Sequence, residues 1–261
     1  MSERERLQQA MSEKGKTITA AVLVIGDEIL SGRTKDRNVG YIAEYLTNVG
    51  IELREARVVP DVEEEIVAAL NALRARYTYV FTTGGIGPTH DDITADAVAK
   101  AFGVSIDEDP RALAMMMERY QPGDLTPARR RMARIPAGAD LIENPISKAP
   151  GFRLGNVIVM AGVPNIMQAM FDAAAKDLET GVKIIAETIE AGGIPEGRYG
   201  SALAAIAAAH LEVSIGSYPS FQDGRFRNQI VVRGKEAEKI AAARAAVGAM
   251  LATFSEYDRP L

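Results

Sequence analysis

The sequence contains no cysteine and no tryptophan, and only two of its 261 residues are histidine. Without cysteine, the protein can form neither disulfides nor thiolate metal sites, and it has no cysteine nucleophile. His90 and His210 are too few for a multi-histidine metal site within one chain. Disulfide-stapled folds, thiol chemistry and zinc sites built on several histidines are therefore excluded.

Long apolar runs and an excess of positive charge are also missing. No run approaches the roughly 20 apolar residues that cross a bilayer, and the net charge of −5 argues against nucleic-acid or anionic-membrane partners. Hydrophobic residues at 47% and charged residues at 25% are typical of a soluble globular protein. Residues 1–17 lack an apolar signal core and predict a disordered, solvated tail. We therefore expect a cytoplasmic protein with no membrane partner.

The first part of the chain alternates between strand and helix patterns. An apolar, β-branched run at 19–25 predicts a strand buried on both faces, and the helical spacing that follows is closed by Gly50. A strand at 51–60, a helix around 66–73 and a strand at 77–82 continue the alternation. Short connections between these segments predict a doubly wound α/β domain.

The remainder of the chain is less regular. Residues 110–134 have a helical pattern with a break at Pro122-Gly123, and short strands and a further helix follow. Near Gly181 the order becomes β-α-β-β-α, which predicts a separate small α+β unit. We expect the first domain to cover residues 18–178 and the second to cover 181–261.

A glycine-rich stretch, TTGGIGPTHDDIT at 82–94, lies between the third predicted strand and the next helix. Gly84, Gly85 and Gly87 allow positive φ and a close approach of the backbone to a ligand. Exposed amides followed by a helix N-terminus form an anion site. The stretch has neither the lysine of a Walker loop nor G-x-G-x-x-G spacing. On the glycines alone, a purely structural turn is an equally good interpretation.

Carboxylates stand directly beside these glycines. Asp91 and Asp92 would repel a phosphate unless a cation lies between them, and Mg²⁺ binds in this way through one or two carboxylates, phosphate oxygens and water. The alternative is that one of the two caps the following helix. The hydroxyl of Thr94 could support a phosphate, or Thr94 could simply belong to the first helical turn.

Acidic residues also follow the first two predicted strands, with Asp27 and Glu28 after one and Asp61 after the other. The carboxyl ends of parallel strands meet at one edge of a sheet, where ligands usually bind. We therefore expect these acids to converge with the glycine loop. Independent decoration of separate loops is the alternative.

Several other polar residues admit two interpretations. Arg129–Arg131 and Arg134 could cover the phosphates of a substrate or form a solvated helix face. Lys148 could close over the site or lie exposed, and His90 is expected in a supporting or exposed position. The loop at 217–224 lacks the G-x-x-G of a nucleic-acid-binding KH motif, so binding of nucleic acid is not expected.

Three blocks, GDEILSGRTKDRN (26–38), VVPD (58–61) and TTGGIGPTHDDIT (82–94), resemble the molybdenum-cofactor biosynthesis (MoaB/Mog-type) domain. They are most similar to its versions in the CinA (competence/damage-inducible protein A) family and in FAD synthetases. NPISKAPGF (144–152) and MAGVPNIMQAMF (160–171) extend the resemblance to about residue 178. The C-terminal unit is similar to the small KH-like domain that follows in CinA proteins.

The resemblance implies a three-layer α/β/α domain with a mostly parallel sheet that binds molybdopterin, another pterin or a nucleotide diphosphate. It implies catalytic roles for Asp61 and Asp92. Together with Asp91, these two would also hold Mg²⁺, Co²⁺ or another divalent cation. The residues implied in contacts with substrate or phosphate are Gly26, Asp27, Glu28, Asp36, Asn38, Thr83, Gly84, Gly85, Gly87, Thr94, Ser147 and Gly162.

The function that the resemblance implies is a divalent-metal-dependent pyrophosphatase acting on ADP-ribose, FAD or a similar nucleotide. The alternatives are a non-catalytic module that binds molybdopterin or a nucleotide, and a molybdopterin adenylyltransferase-like enzyme. Relatives form dimers or trimers, so we expect a homo-oligomer. Ser147 stands where many relatives have glycine, residues 160–164 read MAGVP where L-P-G-x-P is common, and residues 129–133 read RRRMA where bacterial CinA proteins tend to have N-x-K-Q-A. Together these changes favour the FAD-synthetase-like branch. The chain ends at Leu261, before the nicotinamide-nucleotide amidase domain usual in CinA proteins, so we expect that activity to be absent.

Overall fold

The computed structural model describes residues 17–222 and 225–255. All but the last residue of the tail predicted at 1–17 therefore lies outside the described residues. The chain divides into two compact units, and the division falls between Gly181 and Val182. Each unit has its own apolar core.

The first unit contains eight strands, seven α-helices and three short 3₁₀ turns among the described residues. In chain order the strands and α-helices are β1 (Thr19–Ile25), α1 (Asp27–Leu30), α2 (Asn38–Asn48), β2 (Glu52–Val59), α3 (Glu63–Arg76), β3 (Tyr79–Thr83), α4 (Thr94–Phe102), β4 (Ile106–Glu108), α5 (Pro110–Met117), α6 (Pro127–Arg130), β5 (Arg134–Pro136), β6 (Asp140–Ile142), β7 (Gly151–Leu154), β8 (Val157–Met160) and α7 (Pro164–Ala174).

The main sheet has six strands in the order β2-β1-β3-β8-β7-β6. The first four strands of that order run parallel, and β7 and β6 complete the sheet in antiparallel pairings. The predicted doubly wound α/β domain with a mostly parallel sheet is confirmed. The chain passes from β1 to β2 on one side and then crosses to β3 on the other, so the topological switch point lies between β1 and β3.

Alternate residues of β1 supply the two faces of this sheet. Leu23 and Ile25 belong to a core formed with α3 and α4, and Val22 and Val24 belong to a core formed with α2 and α7. A strand buried on both faces has to be apolar at every position, which is why TAAVLVI predicted β1 correctly. The helices cover both faces and leave the strand ends to face the loops.

The predicted helical region at 110–134 is only partly correct. The helix α5 ends at Met117, 3₁₀ turns occupy Pro122–Asp124 and Arg131–Ala133, and α6 is a single turn between them. Thr126 caps α6 by accepting a hydrogen bond from the Arg129 amide. The pair of short strands β4 and β5 was not predicted, because three residues are too few to establish an alternating pattern.

The second unit contains β9 (Ile185–Gly192), α8 (Glu196–Ala209), β10 (Ser214–Tyr218), β11 (Phe221–Gln222), β12 (Arg225–Phe226), β13 (Asn228–Gly234) and α9 (Ala237–Ser255). Its main sheet has the order β10-β13-β9, and both pairings are antiparallel. The predicted β-α-β-β-α order is therefore observed, with a small hairpin of β11 and β12 added. Within the described residues, no helix has the length and apolar character that spanning a bilayer requires.

Candidate functional site

Loops that follow β1, β2, β3 and β8 surround a cleft of about 600 Å³ at the carboxyl edge of the parallel strands. Loops at 120–132 and 144–149 complete its walls. The residues expected at a ligand site that line it are Gly26, Glu28, Asp61, Gly84, Gly85, Gly87, Asp91, Asp92, Ser147 and Gly162. This position beside the switch point is the usual ligand site of an open α/β sheet.

The backbone of the glycine loop adopts dihedral angles that would be strained for any residue with a side chain. Gly84 and Gly85 have φ values of 103° and 65°, in the region where side chains are disfavoured. A Cβ on Gly84 would overlap the carbonyl oxygen of Ile25, and one on Gly85 would overlap the hydroxyl of Thr94. The loop is therefore packed closely between the end of β1 and the start of α4.

Thr94 holds this loop in place from the side that faces away from the cleft. Its hydroxyl donates to the Gly84 carbonyl at 3.0 Å and its amide to the Gly85 carbonyl at 2.9 Å. The side chain is fully buried and does not line the cleft. The structure gives Thr94 a part in holding the loop, in place of the contact with phosphate that we expected.

Asp92 closes a turn just before α4. Its Oδ2 atom accepts hydrogen bonds from the Thr89 amide at 2.8 Å and the Thr89 hydroxyl at 2.5 Å. A Cβ on Gly87 would stand 2.6 Å from the same oxygen, so only glycine lets the carboxylate lie there. The N-cap residue of α4 is Ile93, and among the described residues neither Asp91 nor Asp92 has a side-chain hydrogen bond to the first turn of this helix, so the interpretation of either as its cap is wrong. Asp92 still faces the cleft beside Gly85 and Gly87.

Asp61 is the centre of an acidic cluster. Its Oδ2 atom accepts a hydrogen bond from the Asp27 amide at 2.9 Å, which joins the loops after β2 and β1. Burial raises the pKa of Asp61, and the charges of Asp27, Glu28 and Asp91 act in the same direction, against the lowering effect of the backbone hydrogen bond. The expected convergence of acids from three separate loops is therefore observed.

Asp91 belongs to the exposed side of this cluster. The Thr89 hydroxyl and the backbone amide of Asp91 lower the pKa of its carboxyl group, so this carboxylate is ionised at neutral pH. His90 places Nδ1 3.9 Å from Asp91, but its side chain is 98% exposed. This position agrees with the expectation that His90 lies exposed.

The acids do not form a metal cage on their own. Among residues 17–222 and 225–255, no set of three or more histidine, cysteine or acidic side chains is arranged to hold a metal ion. A protein cage is not what Mg²⁺ requires, because it is commonly bound by one or two carboxylates with phosphate oxygens and water. Asp61, whose pKa is raised by neighbouring negative charge, and Asp91 fit that second kind of site.

Four other expected residues lie beside the cleft. Asp36, Asn38 and Thr83 line a neighbouring cavity of about 50 Å³ together with Gly162, which also lines the main cleft. Just before the start of α2, Asp36 accepts a hydrogen bond from the Val39 amide at 2.9 Å. Asp27 contributes its amide to Asp61 and does not line either cavity.

Asn144 is a site residue that sequence reasoning missed. It is 1% exposed, accepts hydrogen bonds from the amides of Ile146 and Ser147, and donates to Ala149 O and to Ser147 Oγ. These bonds shape the cleft wall and engage the Ser147 hydroxyl. The asparagine at the start of the block NPISKAPGF was the available signal, since one buried asparagine side chain can make hydrogen bonds to several backbone groups of the same loop.

The remaining unpredicted part of the cleft is its apolar and aromatic wall. Tyr120, Met132 and Ile166 line the cleft, but an apolar residue at helical spacing gives no sign that it will face a ligand. Arg129 lines it as well, with its guanidinium 4.7 Å from the centre of the Tyr120 ring.

The other arginines of the basic run are held by protein groups. Arg130 pairs with Glu108, Arg134 makes two hydrogen bonds to Asp96 at 2.6 and 2.8 Å, and Arg131 donates to the Asp92 carbonyl. Of the basic run, therefore, Arg129 alone lines the main cleft.

Lys148 is paired with acids at the outer side of its loop. Its ammonium group lies 2.7 Å from Glu118 and 3.4 Å from Glu143. The hydrogen bond to Glu118 is the main cause of a raised pKa. Lys148 does not line the cleft.

The parallel sheet with a cleft at its carboxyl edge defines a doubly wound α/β binding domain. Residues 21–180 match the family model described as "probable molybdopterin binding domain", and residues 186–258 match that of "FAD synthase, middle domain". The first match covers more than half of the chain, so this protein belongs to the family of probable molybdopterin-binding (MoaB/Mog-type) domains.

Individual relatives place it near the CinA-like members. A protein from Thermoplasma acidophilum is 40% identical over 163 residues, which cover 61% of this chain and 64% of the relative. A CinA-like protein from Citrifermentans bemidjiense is 41% identical over 201 residues, covering 68% of this chain and 48% of the relative. The chain thus spans less than two thirds of the length of these two relatives.

A solved structure shows the same fold. The crystal structure of the protein CinA with unknown function from Thermoplasma acidophilum has a TM-score of 0.59 and 40% identity, and the match covers 62% of this chain and 98% of that one. The first unit is therefore CinA-like in sequence and in fold.

Proposed function

We propose that this protein binds a nucleotide diphosphate such as ADP-ribose or FAD in the main cleft and hydrolyses its pyrophosphate bond with the help of a divalent cation. The observation that carries the proposal is the convergence of Glu28, Asp61 and Asp91 in one cleft with the glycine loop, beside Asp27, whose amide donates to Asp61. Acids alone would repel phosphate, and a glycine loop alone would need no acids.

The glycine loop supports the proposal as an anion-binding element. Gly84 and Gly85 bring the backbone to the cleft without a side chain, and Thr94 holds their carbonyls on the other side. Backbone held in this way does not have to reorganise as negative charge develops on a phosphate. Arg129, stacked on Tyr120, adds a positive charge to the lining of the same cleft.

The acidic cluster supports the proposal as a cation and proton site. Asp61 and Asp91 would hold the cation, which when bound neutralises phosphate charge and increases the acidity of water. Hydrolysis adds one water to phosphorus and breaks the bridging P–O bond, which yields two monophosphates. We assign to Asp61, which lines the cleft where the cation would be held, the acceptance of the water proton. Asp92 supports the reaction by holding the loop against Gly87.

The test is incubation of the purified chain with ADP-ribose or FAD, with and without Mg²⁺ or Co²⁺, and measurement of released AMP. We expect metal-dependent release of AMP, and Asp61→Asn should reduce the rate about 100-fold or more. Asp177→Asn is the matched control, because Asp177 is exposed beyond the end of α7, the helix whose start borders the cleft. Absence of AMP under every condition would refute the hydrolase.

A second candidate is a module that binds molybdopterin or a nucleotide without turning it over. The description of the matched family favours it, and the apolar wall of Ile86, Met132 and Ile166 suits a planar ring. This candidate predicts saturable binding with no product. Adenylyl transfer to molybdopterin, a related activity, would instead require ATP and would consume the pterin.

A further inference from the structure

The cavity beside the main cleft has a different chemical character from the cleft. Its volume is about 50 Å³, and it is lined in part by Asp36, Asn38 and Thr83. It shares five lining residues with the main cleft, namely Ile25, Glu28, Thr34, Gly162 and Pro164. A ligand held at the glycine loop could therefore extend one small group into it.

Three residues that line this cavity each have a buried oxygen atom with no hydrogen-bond partner in the described part of the protein. These atoms are Asp36 Oδ2, Asn38 Oδ1 and Thr83 Oγ1. Asn38 is 4% exposed and Thr83 is 1% exposed. A buried polar atom without a partner costs stability, so three in one small cavity indicate a use beyond folding.

The hydrogen bonds that the Asp36 and Asn38 side chains already make determine whether their free atoms can donate or accept. Asp36 uses Oδ1 to accept the Val39 amide, which leaves Oδ2 as its unpartnered acceptor. Asn38 uses its amino group to donate to the Gly162 carbonyl at 2.8 Å. The amide of Asn38 cannot be reversed without losing that bond, so its free atom is an acceptor. The Thr83 hydroxyl can donate or accept.

We propose that this cavity is a subsite for the vicinal diol of a ribose, with Asp36 and Asn38 accepting from its two hydroxyl groups and Thr83 completing the set. This assignment rests on the proposed function, since it places the sugar of the nucleotide whose phosphates occupy the main cleft. Two acceptors match two O–H donors, and a volume of about 50 Å³ suits two hydroxyl groups better than a bicyclic base.

Neighbouring threonines of β3 provide a matched pair of variants. Thr82 and Thr83 are both fully buried, and the hydroxyl of each has no partner among the described residues. Successive strand residues point to opposite faces, and Thr83 lines the small cavity whereas Thr82 lines neither cavity. Replacing either with valine removes an unpartnered hydroxyl at nearly constant shape, so both variants should melt at or above the wild-type temperature.

The experiment measures binding by isothermal titration calorimetry with Mg²⁺ present. The probes are pyrophosphate, ADP, GDP, 2′-deoxy-ADP, 3′-deoxy-ADP and 2′,3′-dideoxy-ADP. We expect the wild type to bind ADP at least tenfold more tightly than dideoxy-ADP, with each single deoxy compound between them. GDP should bind about as well as ADP. Thr83→Val should lower ADP affinity at least fivefold and shrink the preference for the diol, and Thr82→Val should change neither.

A second variant replaces a hydrogen-bond acceptor of the subsite with a donor. Asp36→Asn can still accept the Val39 amide through its carbonyl while presenting an amino group to the cavity, and we expect it to weaken ADP binding without affecting pyrophosphate. Equal affinity for ADP and dideoxy-ADP in the wild type, or lower melting temperature with unchanged binding in Thr83→Val, would overturn the subsite. If neither pyrophosphate nor any nucleotide binds, the proposed function itself fails.

Discussion

The two units of this protein use β-sheets in different ways. In the first unit, four parallel strands end at the same edge, so the loops after β1, β2, β3 and β8 meet around one cleft. In the second unit, β9 and β10 each pair antiparallel with the central strand β13, so the loops after β9 and β10 leave one edge of the sheet and the end of β13 lies at the other. The parallel strands of the first unit thus gather four loops from distant parts of the chain at one edge, whereas the three strands of the second unit divide their ends between two edges.

Buried polar groups follow the same division. Among the described residues, Asn38, Thr82, Thr83, Thr94 and Asn144 of the first unit are fully buried, and the second unit has Asn228. Two of those in the first unit line the small cavity, and two others hold the walls of the main cleft. Burial of polar side chains therefore reduces the stability of the first unit near its candidate ligand site, whereas the core of the second unit is almost wholly apolar.

The largest effect that we expect comes from Gly84→Ala. The substitution combines a φ of 103° with overlap of the Ile25 carbonyl, and strain and overpacking together should cost about 4 kcal/mol. Urea denaturation followed by circular dichroism measures it, since the chain has no tryptophan. Gly40→Ala in α2 is the control, because a Cβ there meets nothing within 4 Å. Equal stability of the two variants would contradict the assigned loop geometry.

Replacing buried asparagines compares the units directly. Asn144→Ala removes four hydrogen bonds and leaves buried backbone groups without partners, so we expect a loss of about 3 kcal/mol. Asn228→Ala removes one hydrogen bond, to the Ile194 carbonyl, and should cost about 1 kcal/mol. Denaturation of both variants under identical conditions tests the order. A larger loss from Asn228→Ala would reverse the comparison.

Asp61→Asn should increase stability while it lowers the rate of hydrolysis. The folded protein raises the pKa of Asp61 above its ordinary value of 3.8, so the ionised form is disfavoured on folding. The stabilising contribution of Asp61 is complete below pH 3.8 and is lost as the pH rises through the folded value. At pH 7 the variant should be more stable by less than about 1 kcal/mol, because solvent screens this partly exposed group.

The pH dependence is the check on this prediction. Denaturation from pH 7 down to about pH 3.5 should show the advantage of Asp61→Asn disappearing as the wild-type carboxyl becomes protonated. Asp177→Asn should show no such trend. A gain that is constant with pH would mean that the neighbouring negative charges do not act on Asp61.

The smallest expected effect lies in the second unit. Gly248 is in the middle of α9, and a Cβ there meets nothing within 4 Å. Gly248→Ala should therefore stabilise the protein by about 0.5–1 kcal/mol through helix propensity. Thermal melting measures the change, and ADP binding should be unaffected. Destabilisation would show that α9 is constrained at this position in a way that the described residues do not reveal.

Sequence patterns predicted the first unit well where apolar residues repeat with a clear period. Strand β1 and helices α2 and α3 match their predicted positions closely, because each buries a continuous apolar face. The region 110–134 failed because its short helices and 3₁₀ turns are shaped by contacts with distant residues, such as Arg130 with Glu108. These segments are too short to show a recognisable hydrophobic periodicity.

The candidate site was predicted in outline. The glycines at 84–87 and the acids at 27, 61 and 91 were recognisable, because together they follow three successive strands whose carboxyl ends meet at one edge of a parallel sheet. Thr94 was assigned to the ligand although its hydroxyl holds Gly84, since a hydroxyl gives no sign of direction in a sequence. Asn144 and Tyr120 were missed for the same reason.

The sequence by itself determined the order of strands and helices, the glycine loop and the types of group available for chemistry, because these depend on local period and on residue identity. Only the tertiary structure decided that Asp61 is joined to the Asp27 amide, that Asp36, Asn38 and Thr83 share a cavity, and that Arg129 alone of the basic run reaches the cleft. Those contacts join residues far apart in the chain. They arise from the pairing of strands and the packing of both sheet faces, which no local pattern contains.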